Sequence, residues 1–143
     1  MNRIALALFS LASGCMVYGG GPVDTGSTVV ETVNSNPVIT AAEAGCYWDA
    51  SYNDYIWYFQ ASADDPDGVY DVVDMWADVY DNTSGAWVDS FELYATSDAY
   101  TWYSDWLGST TYLDCNYMNY FVEFTAYDSY NATAVVDVTP TYQ

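Results

Sequence analysis

The chain has 143 residues and carries 20 acidic side chains against a single Lys or Arg and no His, a formal net charge of −19. That balance makes nucleic acid and anionic membrane surfaces poor electrostatic partners, because once a leader holding the one basic residue is removed no group is left to offset phosphate repulsion. It also closes Ser–His–Asp, Cys–His and lysine-dependent catalysis, while 52% hydrophobic and 19% aromatic residues argue for a folded apolar interior rather than disorder.

The one basic residue, Arg3, precedes the run Ile4-Ala5-Leu6-Ala7-Leu8-Phe9-Ser10-Leu11-Ala12-Ser13-Gly14-Cys15. A positive start and an apolar run well short of the about 20 residues that span a bilayer read as a secretion signal. Its ending, Leu11-Ala12-Ser13-Gly14-Cys15, resembles the lipobox of bacterial lipoproteins, although Ala12 stands where the pattern usually has Leu. The resemblance implies cleavage before Cys15, diacylation of its thiol and attachment to a membrane through that lipid. An ordinary secretory signal cut after Gly14 or Gly20 is the other reading. Met16, not Asp, follows Cys15, so the familiar inner-membrane retention signal is missing and the expected location is the outer membrane or cell surface.

Residues 15–36 hold the lipidated cysteine and a Gly-, Pro-, Ser- and Thr-rich stretch opened by Gly19-Gly20-Gly21-Pro22, which reads as a flexible tether. A first strand over 28–33 is its alternative. The expected organisation is thus a signal peptide over 1–14, a tether over 15–36 and one domain over 37–143. With Cys15 given to the lipid, Cys46 and Cys115 remain, and two cysteines in an oxidising compartment favour a disulfide. Closing a loop of about 70 residues is worth roughly 4 kcal/mol on the chain-entropy model. Cys46 is expected near the turn between the first two strands and Cys115 near that between the fifth and sixth. Zinc is closed by the lack of His and of further Cys.

Beyond the tether the hydrophobic period is two. The inward rows are Trp57, Phe59, Ala61, Ala63; then Val73, Met75, Ala77, Val79; then Met118, Tyr120, Val122, Phe124, Ala126; and last Ala134, Val136, Val138. Alternation of this kind marks half-buried strands. Turns rich in Asp, Asn, Ser, Pro and Gly separate them, at 64–68, 81–85 and 128–131. The strands are expected over 37–43, 54–63, 69–80, 86–94, 101–107, 118–127 and 132–139. About seven short strands point to an all-β, two-sheet antiparallel sandwich.

Asp65-Pro66-Asp67-Gly68-Val69, and the stretch from Val122-Glu123-Phe124 through Ala132-Thr133-Ala134-Val135-Val136-Asp137-Val138, resemble bacterial immunoglobulin-like and fibronectin-type-III-like modules. The resemblance covers about residues 37–140. It implies an immunoglobulin-like β-sandwich and a role in adhesion, spacing or display, not a reaction.

Sandwich connectivity should gather Asp64, Asp65 and Asp67 with Asp98 and Asp128 at one pole. Such a set of hard oxygens suits calcium, which takes six to eight oxygen ligands on a flexible frame. The bland reading is a good turn among surface acids. The 16 Tyr, 6 Trp and 5 Phe fill strand positions or form a binding surface. Trp102, Tyr103 and Trp106, flanked by Asp105, are the rings to inspect for a glycan site. The expected function is a non-catalytic surface or periplasmic lipoprotein with a structural, adhesive or protein-interaction role, through a protein partner or self-association. Carbohydrate binding is the alternative.

Overall fold

The computed structural model describes residues 33–143. Among them nine strands form two packed sheets: β1 (Val38–Asp49), β2 (Asp54–Asp64), β3 (Val72–Asp81), β4 (Trp87–Glu92), β5 (Tyr94–Ala95), β6 (Thr101–Leu107), β7 (Tyr120–Asp128), β8 (Thr133–Val138) and β9 (Thr141–Tyr142). One sheet has the order β5-β6-β2-β1-β9 and the other β4-β3-β7-β8. Every pairing is antiparallel except the one between β1 and β9. No helix among the described residues is long and apolar enough to cross a membrane.

Alternation sorts the side chains between core and surface. Ala44 and Cys46 of β1, Trp57, Phe59, Ala61 and Ala63 of β2, and Trp102 of β6 are buried on the inner face of the first sheet. Opposite them lie Met75, Ala77 and Val79 of β3, Phe91 of β4, and Tyr120, Val122, Phe124 and Ala126 of β7. Three ring pairs join the sheets across this layer, one of them Phe91 with Trp106. Phe59 stacks on Phe91 with centroids 4.5 Å apart, and Trp57 meets Tyr120 edge-on at 5.9 Å. Such pairs add about 0.5–1.5 kcal/mol each beyond their area burial.

The expected strands hold, with three local departures. The first strand does not end at residue 43 but runs on to Asp49, so Cys46 sits inside it, paired in register with Trp57 and wholly buried. It is not in a turn. Cys115 does lie in the connection between β6 and β7, and the two cysteines form a disulfide with their Cα atoms 5.9 Å apart. In the third strand a single 3-10 turn, Val69–Asp71, precedes a bulge between Val72 and Asp74. The extra residue there puts Val72 into the core and leaves Val73 53% exposed, reversing the expected side of Val73. The stretch 86–94 is two strands, not one: β4 pairs with β3, and after buried Leu93 the chain changes sheets and β5 pairs with β6. Leu93 keeps one ladder bond, its N–H reaching the Met75 carbonyl at 2.9 Å.

β1 runs this far because it pairs with β2 as far as Asp49 opposite Asp54, and Gly45 makes room beside it for the last strand. The final strand lies against it in parallel, Gly45 opposite Thr141 and Cys46 opposite Tyr142. A Cβ on Gly45 would sit 2.6 Å from the Thr141 carbonyl oxygen and 2.7 Å from the Tyr58 hydroxyl. Tyr58 is held there by the Gln143 amide, which donates to its hydroxyl at 2.5 Å. Along the rest of β1 the free edge is guarded by the bulge between Ile39 and Ala41 and by exposed Glu43.

Two expectations follow. Gly45→Ala should cost about 1–3 kcal/mol through overpacking and free the last strand, read as a lower thermal midpoint and faster amide exchange at Gln143. The double variant Cys46→Ser, Cys115→Ser should lose up to about 4 kcal/mol in denaturant unfolding; unchanged stability would mean the bridge does not constrain the unfolded chain.

Candidate metal centre

At the end of the sandwich where β2 stops and β3 and β8 begin, three pieces of chain meet. They are the lead-in to β1 (Asn34, Ser35), the loop from Asp65 to Asp71, and the β7–β8 turn around Asp128. The loop is built by its own carboxylates. Asp65 accepts the Asp67 N–H at 2.8 Å, its carbonyl accepts the Gly68 N–H at 2.9 Å, and Gly68 takes φ 135°, where side chains are disfavoured. The Gly68 carbonyl then accepts the Asp71 N–H at 2.8 Å. Asp71 is tied to the neighbouring turn by Ser129, whose N–H donates to the Asp71 carbonyl at 2.9 Å and whose hydroxyl donates to its carboxylate.

This arrangement brings Asp65, Asp67 and Asp71 together, with one carboxylate oxygen from each lying within 4.8 Å of the others. Calcium–oxygen bonds of about 2.3–2.6 Å span such a spacing across a central ion. Asp65 is only 4% exposed, yet its Oδ2 has no hydrogen-bond donor. Asp71 Oδ2 and Asn34 Oδ1 are likewise buried without a partner. Buried polar oxygens normally find donors. The only basic side chain in the whole sequence is Arg3, so the described residues contain no charged group able to neutralise the three acids. The oxygens could coordinate a divalent cation, and the set holds no nitrogen or sulfur, as a hard ion requires.

Of the expected ligands, Asp65 and Asp67 are in this cluster. Asp128 lies beside it, 1% exposed, in another role. Its Oδ1 accepts the N–H groups of Tyr130 and Ala132 at 2.8 and 2.7 Å, and its Oδ2 accepts the Asn34 amide at 2.6 Å. Burial works to raise its pKa, but the bonds from Asn34, Ala132 and Tyr130 outweigh that and hold it below the ordinary value. Asp64 is exposed and accepts the Asp65 N–H at 2.9 Å. Asp98 is apart, closing the turn before β6. Bonds from the Thr101 N–H and from the Thr96 and Thr101 hydroxyls lower its pKa. Asp71 and Asn34 were not foreseen. Asp71 follows Gly68 by three positions, and an Asp-x-Asp-Gly-x-x-Asp spacing was there to be read; Asn34 carries no local signal.

The three rings singled out for a glycan do not share a face. Trp102 is buried in the core at 7% exposure, Trp106 packs at the sheet margin against Phe91 at 5.7 Å, and Tyr103 projects from the opposite side of β6. That outer side carries Tyr47, Tyr58, Gln60, Tyr103 and Asp105 in neighbouring register positions. Burial and then Asp105 push Tyr103 up to about 12. Cys15 lies outside the described residues, as does the tether through residue 32. No family model, curated protein or solved structure matches this chain, so the site is read from its own chemistry.

A second group of acids lies on the outer face of the other sheet. Asp78, Glu123 and Asp137 stand directly opposite one another across β3, β7 and β8 on the outer face. Like charges so placed repel, and burial, then Asp137 and Asp78, raise the Glu123 pKa above its ordinary 4.5. The folded state therefore holds this proton more tightly than the unfolded chain does. The resulting destabilisation is complete above the folded pKa and disappears as pH falls below 4.5. Glu123→Gln should accordingly stabilise the fold by about 0.5 kcal/mol at neutral pH, with the gain shrinking on acidification and in high salt. Asp81 has the opposite sign. The Tyr117 hydroxyl and then Ser84 draw its pKa to about 2, so its contribution is present above 3.8 and lost as pH falls through about 2. Thermal midpoints across pH in wild type and Glu123→Gln check both signs.

Proposed function

We propose that this chain is an exported, non-catalytic display module. In this reading its signal is cut before a lipidated Cys15, residues 15–36 tether it to the outer membrane or cell surface, and an immunoglobulin-like domain serves a structural, adhesive or protein-interaction role. The strand order supports the domain reading. Lettered A, B, C, C′, D, E, F and G in turn, the first eight strands give the orders D-E-B-A and C′-C-F-G, the immunoglobulin arrangement with one strand added beside C. The disulfide suits an oxidising compartment.

The observation that carries the functional reading is the trio Asp65, Asp67 and Asp71 with its donor-less buried oxygens. Calcium is the cation that fits this all-oxygen loop, and extracellular modules bind it at about 10⁻⁴–10⁻³ M, concentrations met outside cells rather than within them. In the full chain, calcium at ten times its Kd should raise the thermal midpoint by about 6 °C, and Asp65→Asn or Asp71→Asn should abolish the rise. A midpoint indifferent to calcium removes the cation from this reading. Anchoring is tested separately: wild type should partition into a detergent phase and Cys15→Ser into the aqueous one.

A carbohydrate-binding role is the second reading, favoured only by the tyrosine-rich outer face of the first sheet. Tyr47 and Tyr58 are tilted 47° to each other and offer no flat platform. Glycan-array binding lost in Tyr103→Ala would move this reading ahead.

A further inference from the structure

Asn34 lies outside the acidic loop, 31 residues before Asp65 in sequence, and no carboxylate pattern points to it. Its side chain is nevertheless set as a ligand would be. The amide nitrogen donates to Asp128 Oδ2 at 2.6 Å and to the Ser35 carbonyl at 3.1 Å, which turns Oδ1 the other way. That Oδ1 is buried and has no donor, and Asn34 lines a depression together with Asp67, Asp71 and Tyr130. Asp65, nine-tenths buried with its own unpartnered Oδ2, belongs to the same cluster. Next in sequence, the Ser35 N–H donates to Asp67 Oδ2 at 2.6 Å. The lead-in to β1 is thus held to the domain through groups that belong to the acidic loop or to its orienting neighbour.

We infer that Asn34 Oδ1 is a fourth protein ligand of the cation, so that binding clamps residues 33–36, ahead of buried Pro37, onto the domain and release frees them. This rests on the calcium reading above and adds its consequence: the ion fixes the direction in which the chain enters the sandwich. Asp128 is a positioning residue here, holding the Asn34 amide so that the carbonyl oxygen faces the acids. Without a cation, the three carboxylates repel one another, and ahead of buried Pro37 the polar ties of the lead-in are the two hydrogen bonds from Asn34 to Asp128 and from Ser35 to Asp67.

The test uses the full chain with calcium alone as ligand. Binding is read by displacement of terbium, whose emission neighbouring Tyr130 should sensitise, and the lead-in is read by amide hydrogen exchange at Ser35. In wild type, calcium should slow Ser35 exchange several-fold. In Asn34→Ala, affinity should fall about tenfold or more, while calcium at saturation still protects the loop amides of Asp67 and Asp71 and no longer protects Ser35. Asp65→Asn should lose binding altogether. Calcium that binds wild type and Asn34→Ala equally, with Ser35 exchange unchanged by the ion, overturns the clamp and leaves the calcium site standing. Failure of calcium to bind wild type at all overturns the site itself.

Discussion

Among the described residues a carboxylate has no cationic side chain to turn to, and that constraint shapes most of the loops. The acids are satisfied instead by backbone N–H groups and hydroxyls of their own turns. Asp81 takes the N–H groups of Thr83 and Ser84, Asp98 those of Tyr100 and Thr101, Asp114 that of Asn116, and Asp128 those of Tyr130 and Ala132. Each turn gains a fixed geometry and each charge is stabilised without a partner ion. The solution runs short most sharply among buried oxygens. Between β2 and β3 three acids converge faster than donors can be supplied, and oxygens of Asp65 and Asp71 stay bare. The candidate metal centre is where the chain's general answer to its own charge runs out.

Much of the sandwich was legible because its strands are half buried. Trp57, Phe59, Ala61 and Ala63 had to share a face, and so had Val122, Phe124 and Ala126; these rows are the core. What could not be read were features set by distant chain. β9 seats beside Gly45 and Cys46 from the other end of the sequence, and no local pattern announces a partner about a hundred residues away. The sheet change at Leu93 was hidden for another reason. A strand that changes sheets keeps its alternation on both sides of the break, so a continuous apolar pattern over 86–94 looks like one element.

The site divides along the same line. Asp65 and Asp67 sit in a turn whose residues define it locally, so their meeting was legible. Asp71 follows in the local 3-10 turn after Gly68, a spacing the sequence also carries, whereas Asn34 is delivered by the lead-in to β1 through contacts that only the folded topology creates. Asp98 failed to join because its own turn consumes both of its oxygens. The ring cluster failed on parity: residues 102 and 103 are neighbours on a strand and so face opposite ways.

The parallel pairing of β1 with β9 has a mechanical consequence. β1 runs away from the acidic end of the sandwich, and β9 runs alongside it in the same direction. Tension drawn between the residues before Val38 and those after Tyr142 therefore pulls the two strands past each other lengthwise. Their ladder bonds, among them that from the Gln143 N–H to the Cys46 carbonyl at 2.9 Å, are loaded together in shear and not one at a time. The covalent bridge to Cys115 begins at that same Cys46. Chain before it can be drawn out under load, but the stretch between Cys46 and Cys115 is bypassed by the covalent bridge and adds nothing to the domain's extension.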